Sequence, residues 1–265
     1  MKKEPVIYTK PVLIAKLKEI HEKGWIPNAR HGNAGGVGNT LEDLLGIKEN
    51  NLPIPNASEW ELKTQRLNSS SLTTLFHMEP SPRAVGFVAD VLLPKYGWPH
   101  QEARKKYPAK EVSFRMTIST RSRSDRGFTV VVDRKEEKVL ILFDPKNADK
   151  RHGKWLASVK KRVGLGELNP QPYWGFKDLE NKAGTKLLNS FYVQAEVQKK
   201  GKKEFYHYTK VMMLQKFSFS NFLRELEGGN ILIDFDARSG HNHGTKFRIR
   251  QDCLPLLYEK ATVII

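Results

Sequence analysis

The sequence predicts an α/β protein with a mixed central sheet flanked by helices and a second lobe packed against it. Three observations lead there. Segments with apolar residues at helical spacing are interspersed with segments of in-and-out alternation, the two periods that separate helix from strand. At 265 residues the chain can bury a sizeable core, as one large domain or a bilobed unit. No repeat, low-complexity tract or long linker divides it, so a second lobe has to pack on the first.

Residues 11–24, PVLIAKLKEIHEKG, place apolar side chains at 12, 13, 14, 17 and 20 with charges between, and Gly24 supplies a stop: a helix. The loop NARHGNAGGVGN then leads into TLEDLLGI, where Thr40 is expected to cap a short helix with Leu41, Leu44 and Leu45 inward and Glu42 and Asp43 in its first turn. From Glu59 to Thr64 the alternation reads as a strand, with Trp60 and Leu62 on the core side and Glu59, Glu61 and Lys63 on the other. SSSLTTLFH continues with β-like composition, and residues 83–98 look helical until Pro94.

Three strands, VSFRMTIST, FTVVVDR and KVLILFD, are separated by the turn RSRSDRG and by KEE, which predicts an antiparallel meander. Residues 146–164 suit a basic helix, and GLGELNPQPYWGF reads as a loop from its Gly and Pro. NSFYVQAEVQ and KEFYHYTKVMMLQKF flank KKGKK as a hairpin, with Tyr206, Tyr208, Phe217 and Phe219 expected in the core. SNFLRELEGG is a helix closed by glycines, and residues 230–252 read as strand, polar loop, strand. The expected division is a main lobe over residues 1–145 and a second lobe over 146–265, with room for the two to interleave.

Lys and Arg number 45 against 29 Asp and Glu, a formal charge of +16 spread along the chain, which favours a polyanionic partner. No apolar run approaches the roughly 20 residues of a membrane span and the first residues lack a signal peptide's apolar stretch, so a soluble intracellular protein is expected. The lone Cys253 excludes an internal disulfide and a cysteine-rich zinc knuckle. The glycine run GNAGGVGNT is not a phosphate loop, because Asn39 stands where that motif needs lysine.

Glu61 and Lys63, two apart on a strand anchored by Trp60 and Leu62, suit phosphodiester hydrolysis. That reaction needs oxygen ligands to hold Mg²⁺ at the scissile phosphate, and a cation to orient water or stabilise developing negative charge. The stretch GNTLEDLLGIKENNLPIPNASEWELKTQR, running on to SSSLTTLFH, resembles the signature of the MvaI/BcnI restriction endonucleases, within the MutH-like branch of the PD-(D/E)xK nucleases. The C-terminal FDARSGHNHGTKFRIR resembles that family's DNA-reading segment.

The resemblance implies a restriction-endonuclease-like core and a Mg²⁺-dependent type II enzyme. It further implies a monomer that nicks one strand at a time at a short CCNGG-type site in double-stranded DNA, with a cognate methyltransferase in the host cytoplasm. It makes Glu61 and Lys63 the motif's Glu and Lys, and Glu42 the supporting upstream glutamate. Asn56 falls where the family carries its metal-binding aspartate, and an amide brings an oxygen but no charge. Three accounts stay open: a deliberate Asp-to-Asn change that traps uncleaved DNA, a naturally inactive or altered relative, or Glu59 supplying the charge.

For base reading, Asp236 can accept from cytosine N4, Arg238, Arg248 or Arg250 can grip guanine, and His241 and His243 can meet base edges beside Lys246; His77 could be a core histidine, and the resemblance makes it a candidate for reading the centre of the site. Arg66, Arg121, Arg123 and Arg126 suit phosphate contacts, which position the protein without reading sequence.

Overall fold

The computed structural model describes residues 8–29, 36–47, 60–67 and 69–265; Asn56 and Glu59 lie outside the described residues. The chain runs through α1 (Lys10–Glu22), β1 (Ile26–Pro27), α2 (Gly36–Leu44), β2 (Glu61–Arg66) and β3 (Thr73–His77), then α3 (Leu93–Tyr96) and β4 (Trp98–Pro99). Next come β5 (Val112–Ile118), β6 (Arg126–Asp133), β7 (Lys138–Ala148), α4 (Gly153–Val163), β8 (Tyr173–Gly175) and α5 (Phe176–Leu187). The last third holds β9 (Asn189–Lys200), β10 (Lys203–Phe217), α6 (Phe219–Glu227), β11 (Ile231–Arg238), β12 (His241–Asn242), β13 (Lys246–Ile249) and β14 (Tyr258–Val263).

The chain forms two compact units, one of residues 1–73, 183–221 and 250–265, the other of 74–182 and 222–249. The units interleave, with breaks after residues 73, 182, 221 and 249 rather than a single one at 145. The reason is strand pairing. β2 pairs in parallel with β9, which no tight turn can arrange, and the chain between them builds most of the second unit.

In the first unit the sheet order is β1-β10-β9-β2, with β14 also on the edge of β10. The expected hairpin is the antiparallel β9–β10 pair, and the parallel β2–β9 pair makes the sheet mixed. One face of this sheet buries Trp60, Leu62, Phe191, Val193 and Tyr208 against Leu13, Leu17 and Ile20 of α1 and Leu41 of α2. Trp60 and Phe191 touch, with ring centres 4.7 Å apart. Tyr206 and Tyr208 are core residues as expected, whereas Phe217 and Phe219 are only half-buried.

Helix α2 corrects two expectations. It starts at Gly36, so Thr40 is a buried interior residue rather than a cap, and Glu42 lies in the last turn rather than the first. The glycines are helix contacts: a Cβ at Gly36 would lie 2.5 Å from Tyr206 Oη and one at Gly38 would lie 2.8 Å from Thr64 Oγ1. Glycine therefore lets the helix lie close on the sheet. Gly→Ala in a helix ordinarily stabilises by about 1 kcal/mol. Gly36→Ala is expected to do the opposite, costing about 1–3 kcal/mol in denaturant unfolding, because the fully buried Tyr206 cannot give way.

The second unit holds the sheet β3-β13-β11-β5-β4, with β12 on β11, and a smaller sheet β6-β7-β8. The expected three-strand meander is only two strands of one: β6 and β7 pair, but β5 pairs with β11. Aromatic rings join the sheets, Phe114 meeting Phe128 edge-on at 5.6 Å and Phe235 at 5.5 Å. The helical stretch before β4 is a single 3-10 turn at Arg83–Val85, a π-helical turn over Phe87–Leu92 and then α3. Pro94 does not end it, since proline is tolerated in a first helical turn. The basic helix is shorter than expected, as α4, and the loop after it contains β8.

Candidate active site

Trp60, just before β2, and Leu62 on it face the helices, so alternation turns Glu61, Lys63 and Gln65 to the opposite face. In register beside them on β9 stand Ser190, Tyr192 and Gln194 respectively. This face is polar but not solvated: Glu61 is only 6% exposed. Lys63 Nζ donates to Glu61 Oε1 at 2.9 Å. Glu61 Oε2 is buried with no hydrogen-bond partner among the described residues. A buried carboxylate oxygen left unpaired is costly, and a hard cation is the partner that would offset the cost.

A hydroxyl pair lies at the next strand, with Ser190 Oγ 2.7 Å from Tyr258 Oη. Burial pushes the Tyr258 phenol up, and the Glu61 charge adds to this, so it stays a neutral hydroxyl. Beyond Lys63 the Tyr192 hydroxyl lies 3.0 Å from Gln65 Oε1 and receives a hydrogen bond from Gln194 Nε2 at 3.2 Å. Thr73 also donates to Gln65 Oε1, and Gln65 Nε2 donates to the Ser71 carbonyl at 2.6 Å. These bonds fix the strand that carries the Glu–Lys pair.

Glu42 is half-buried on α2 in the same unit. Arg66 forms a two-pronged ion pair with Glu204, at 3.2 and 3.0 Å, which holds the Glu204 carboxyl below its ordinary range. Among the described residues no cluster of three or more metal-ligating side chains forms.

The second unit gathers most of the expected base readers on one sheet face. β11 alternates strictly, so Asp234, Asp236 and Arg238 leave the core together. Asp236 lies 2.7 Å from Arg115 Nε and 3.1 Å from Lys246 Nζ, and Asp234 lies 3.3 Å from Arg248 Nη1. Burial alone would raise the Asp236 carboxyl. The Lys246 hydrogen bond, with the charges of Arg115 and His243, instead holds it below its usual value. Arg238 pairs with Glu111 at 3.1 Å and lies over the Tyr107 ring.

His241 and His243 stand together, ring nitrogens 3.3 Å apart, on the exposed loop after β11. His77 is adjacent: a Cβ at Gly244 would come within 3.3 Å of its ring. Arg121 and Arg123 are exposed in this unit, and Arg126 is stacked on Trp98 at 3.8 Å. Arg250 is exposed, directly after the last residue of β13, and is grouped with the first unit.

Sequence reasoning missed Gln65, Ser190, Tyr192, Gln194 and Tyr258 around the Glu–Lys pair, and Glu79, Arg115 and Asp234 in the second unit. Polar residues alternating with apolar ones in NSFYVQA were a signal for a buried polar sheet face. Nothing in the sequence pointed to β2 as the strand beside it.

The mixed sheet with its buried Glu–Lys pair has the fold of a restriction endonuclease. Over 97% of this chain and all of the other, it is similar to restriction endonuclease MvaI in complex with its cognate DNA substrate, with a TM-score of 0.76 and 24% identity. Against MvaI in the absence of DNA the TM-score is 0.54, over 99% of this chain and all of the other, again with 24% identity. The profile of the MvaI/BcnI restriction endonuclease family matches residues 14–258, and the chain belongs to that family. It is therefore by class a type II restriction endonuclease, a DNA-binding nuclease. No curated protein sequence matches it. No helix among the described residues is long and apolar enough to cross a membrane.

Proposed function

We propose that this chain is a Mg²⁺-dependent endonuclease for a short, nearly palindromic CCNGG-type site, acting as a monomer that nicks one strand per binding event. The observation that carries the catalytic reading is the buried Glu61–Lys63 pair with one carboxylate oxygen left unpartnered. Glu61 Oε2 and the Asn56 side chain would hold the cation, with Glu42 in support. A divalent ion held there would supply polarisation of the scissile phosphate and activation of a water.

The chain's own residues do the rest. Lys63 is held at the pair by Glu61, and at the attacked phosphate it orients water and offsets developing negative charge. Asp236, Arg248, Lys246 and the three histidines read base edges, with Arg238 joining once released from Glu111. Arg66, Arg121 and Arg123 contact phosphates, and Arg250 is a further candidate for gripping guanine. A cytoplasmic setting with a cognate DNA methyltransferase completes this reading.

Asn56 favours a second reading, a sequence-specific DNA-binding relative that no longer cuts. Both readings require specific duplex binding. The chain as it stands is expected to prefer a CCNGG duplex over a scrambled one by on the order of 10³-fold at matched salt, the lower end for specific sites. Competition binding checks this. Equal affinity for both duplexes contradicts either reading, and tighter retention of single-stranded RNA points to an RNA-binding protein instead.

A further inference from the structure

Glu79, two residues past His77, holds the far loop that carries the other two histidines. Its Oε1 accepts three hydrogen bonds from that loop: from Thr245 N at 2.9 Å, Thr245 Oγ1 at 3.3 Å and Asn242 Nδ2 at 3.4 Å. The backbone adds a fourth tie, Met78 N donating to the Thr245 carbonyl at 2.9 Å. Within the loop Asn242 Oδ1 accepts from Gly244 N at 2.9 Å, and Gly244 takes a positive φ that brings it against His77. His241 and His243 are therefore exposed at their tips and anchored at their base.

We infer that Glu79 is a positioning residue for sequence discrimination, setting where His241 and His243 meet the base edges relative to His77. This rests on the reading that these histidines contact bases. The chemistry of the anchor is uneven. Oε1 carries all three bonds, while Oε2 is buried with no hydrogen-bond partner among the described residues. A glutamine keeps the accepting oxygen and replaces only the unpartnered one, whereas alanine removes the anchor altogether.

The test uses the chain as it stands and measures the ratio of affinities for a CCNGG duplex and for duplexes changed at one base pair, at matched salt. Glu79→Ala is expected to lower that ratio roughly tenfold at the position read by the loop, within what one base contact contributes, while affinity for a scrambled duplex is unchanged. Glu79→Gln is expected to keep the ratio, a rescue that a generally destabilised fold would not show as a change confined to one base position. If Glu79→Ala does not fold, Asn242→Ala, which removes an exposed side chain, takes its place, with a lowered ratio supporting the anchor and an unchanged one overturning it.

A doubly substituted His241→Ala, His243→Ala chain separates the two ways to fail. If it loses discrimination while Glu79→Ala keeps it, the loop reads bases and Glu79 does not position it. If the double variant also keeps discrimination, base reading by the loop falls, and the inference with it.

Discussion

Asn56→Asp is expected to raise Mg²⁺-dependent cleavage of a plasmid carrying CCNGG sites by roughly 10²- to 10⁴-fold. That is the rate equivalent of the several kcal/mol that metal-borne charge stabilisation contributes, at about 1.4 kcal/mol per tenfold. The buried oxygen of Glu61 and the lysine beside it are already in place. A second carboxylate would give the cation the anionic ligand that an amide cannot. The comparison is a time course of nicked and linear plasmid for both forms. Specific binding without cutting in both forms would favour the inert relative.

Phe191→Ala is expected to destabilise the protein by about 3–5 kcal/mol, as for other fully buried aromatics, seen as a lower midpoint in denaturant. Phe191 is wholly buried between the β9 positions of Ser190 and Tyr192 and packs on Trp60, the residue before Glu61. One ring therefore helps hold both strands of the candidate site. Leu at this position, which refills most of the volume, is expected to recover much of the loss.

How much of this was legible in the sequence depended on range. Local periodicity located α1, the β9–β10 hairpin and the β11–β13 strand, loop and strand, because each is specified by neighbours within a few turns of chain. Glu61 and Lys63 were legible for the same reason, as two charges on one side of a strand whose other side is Trp60 and Leu62. Long-range pairing was not. That β5 joins β11 rather than β6 depends on which of two sheets buries Phe114, and the sequence period is the same in either.

The burial of Glu61 was hidden too, since two charges at i and i+2 usually mark a wet strand face. The parallel neighbour β9, some 130 residues on in sequence, helps close that face with hydroxyls and amides. In α2 the error was local: glycines were read as a loop because their cost in a helix is known, whereas the reason to accept it, the Tyr206 hydroxyl against Gly36, lies on a distant strand.

We propose that Glu61 and Lys63 form a cutting site that serves a CCNGG reader. A map of the ends produced by the Asn56→Asp chain on genome-sized DNA with Mg²⁺ tests it most directly. Ends confined to CCNGG-type sites, and absent when Lys63→Ala is added, are the expected result. Ends at unrelated sequences, or ends that persist without Lys63, would contradict the account.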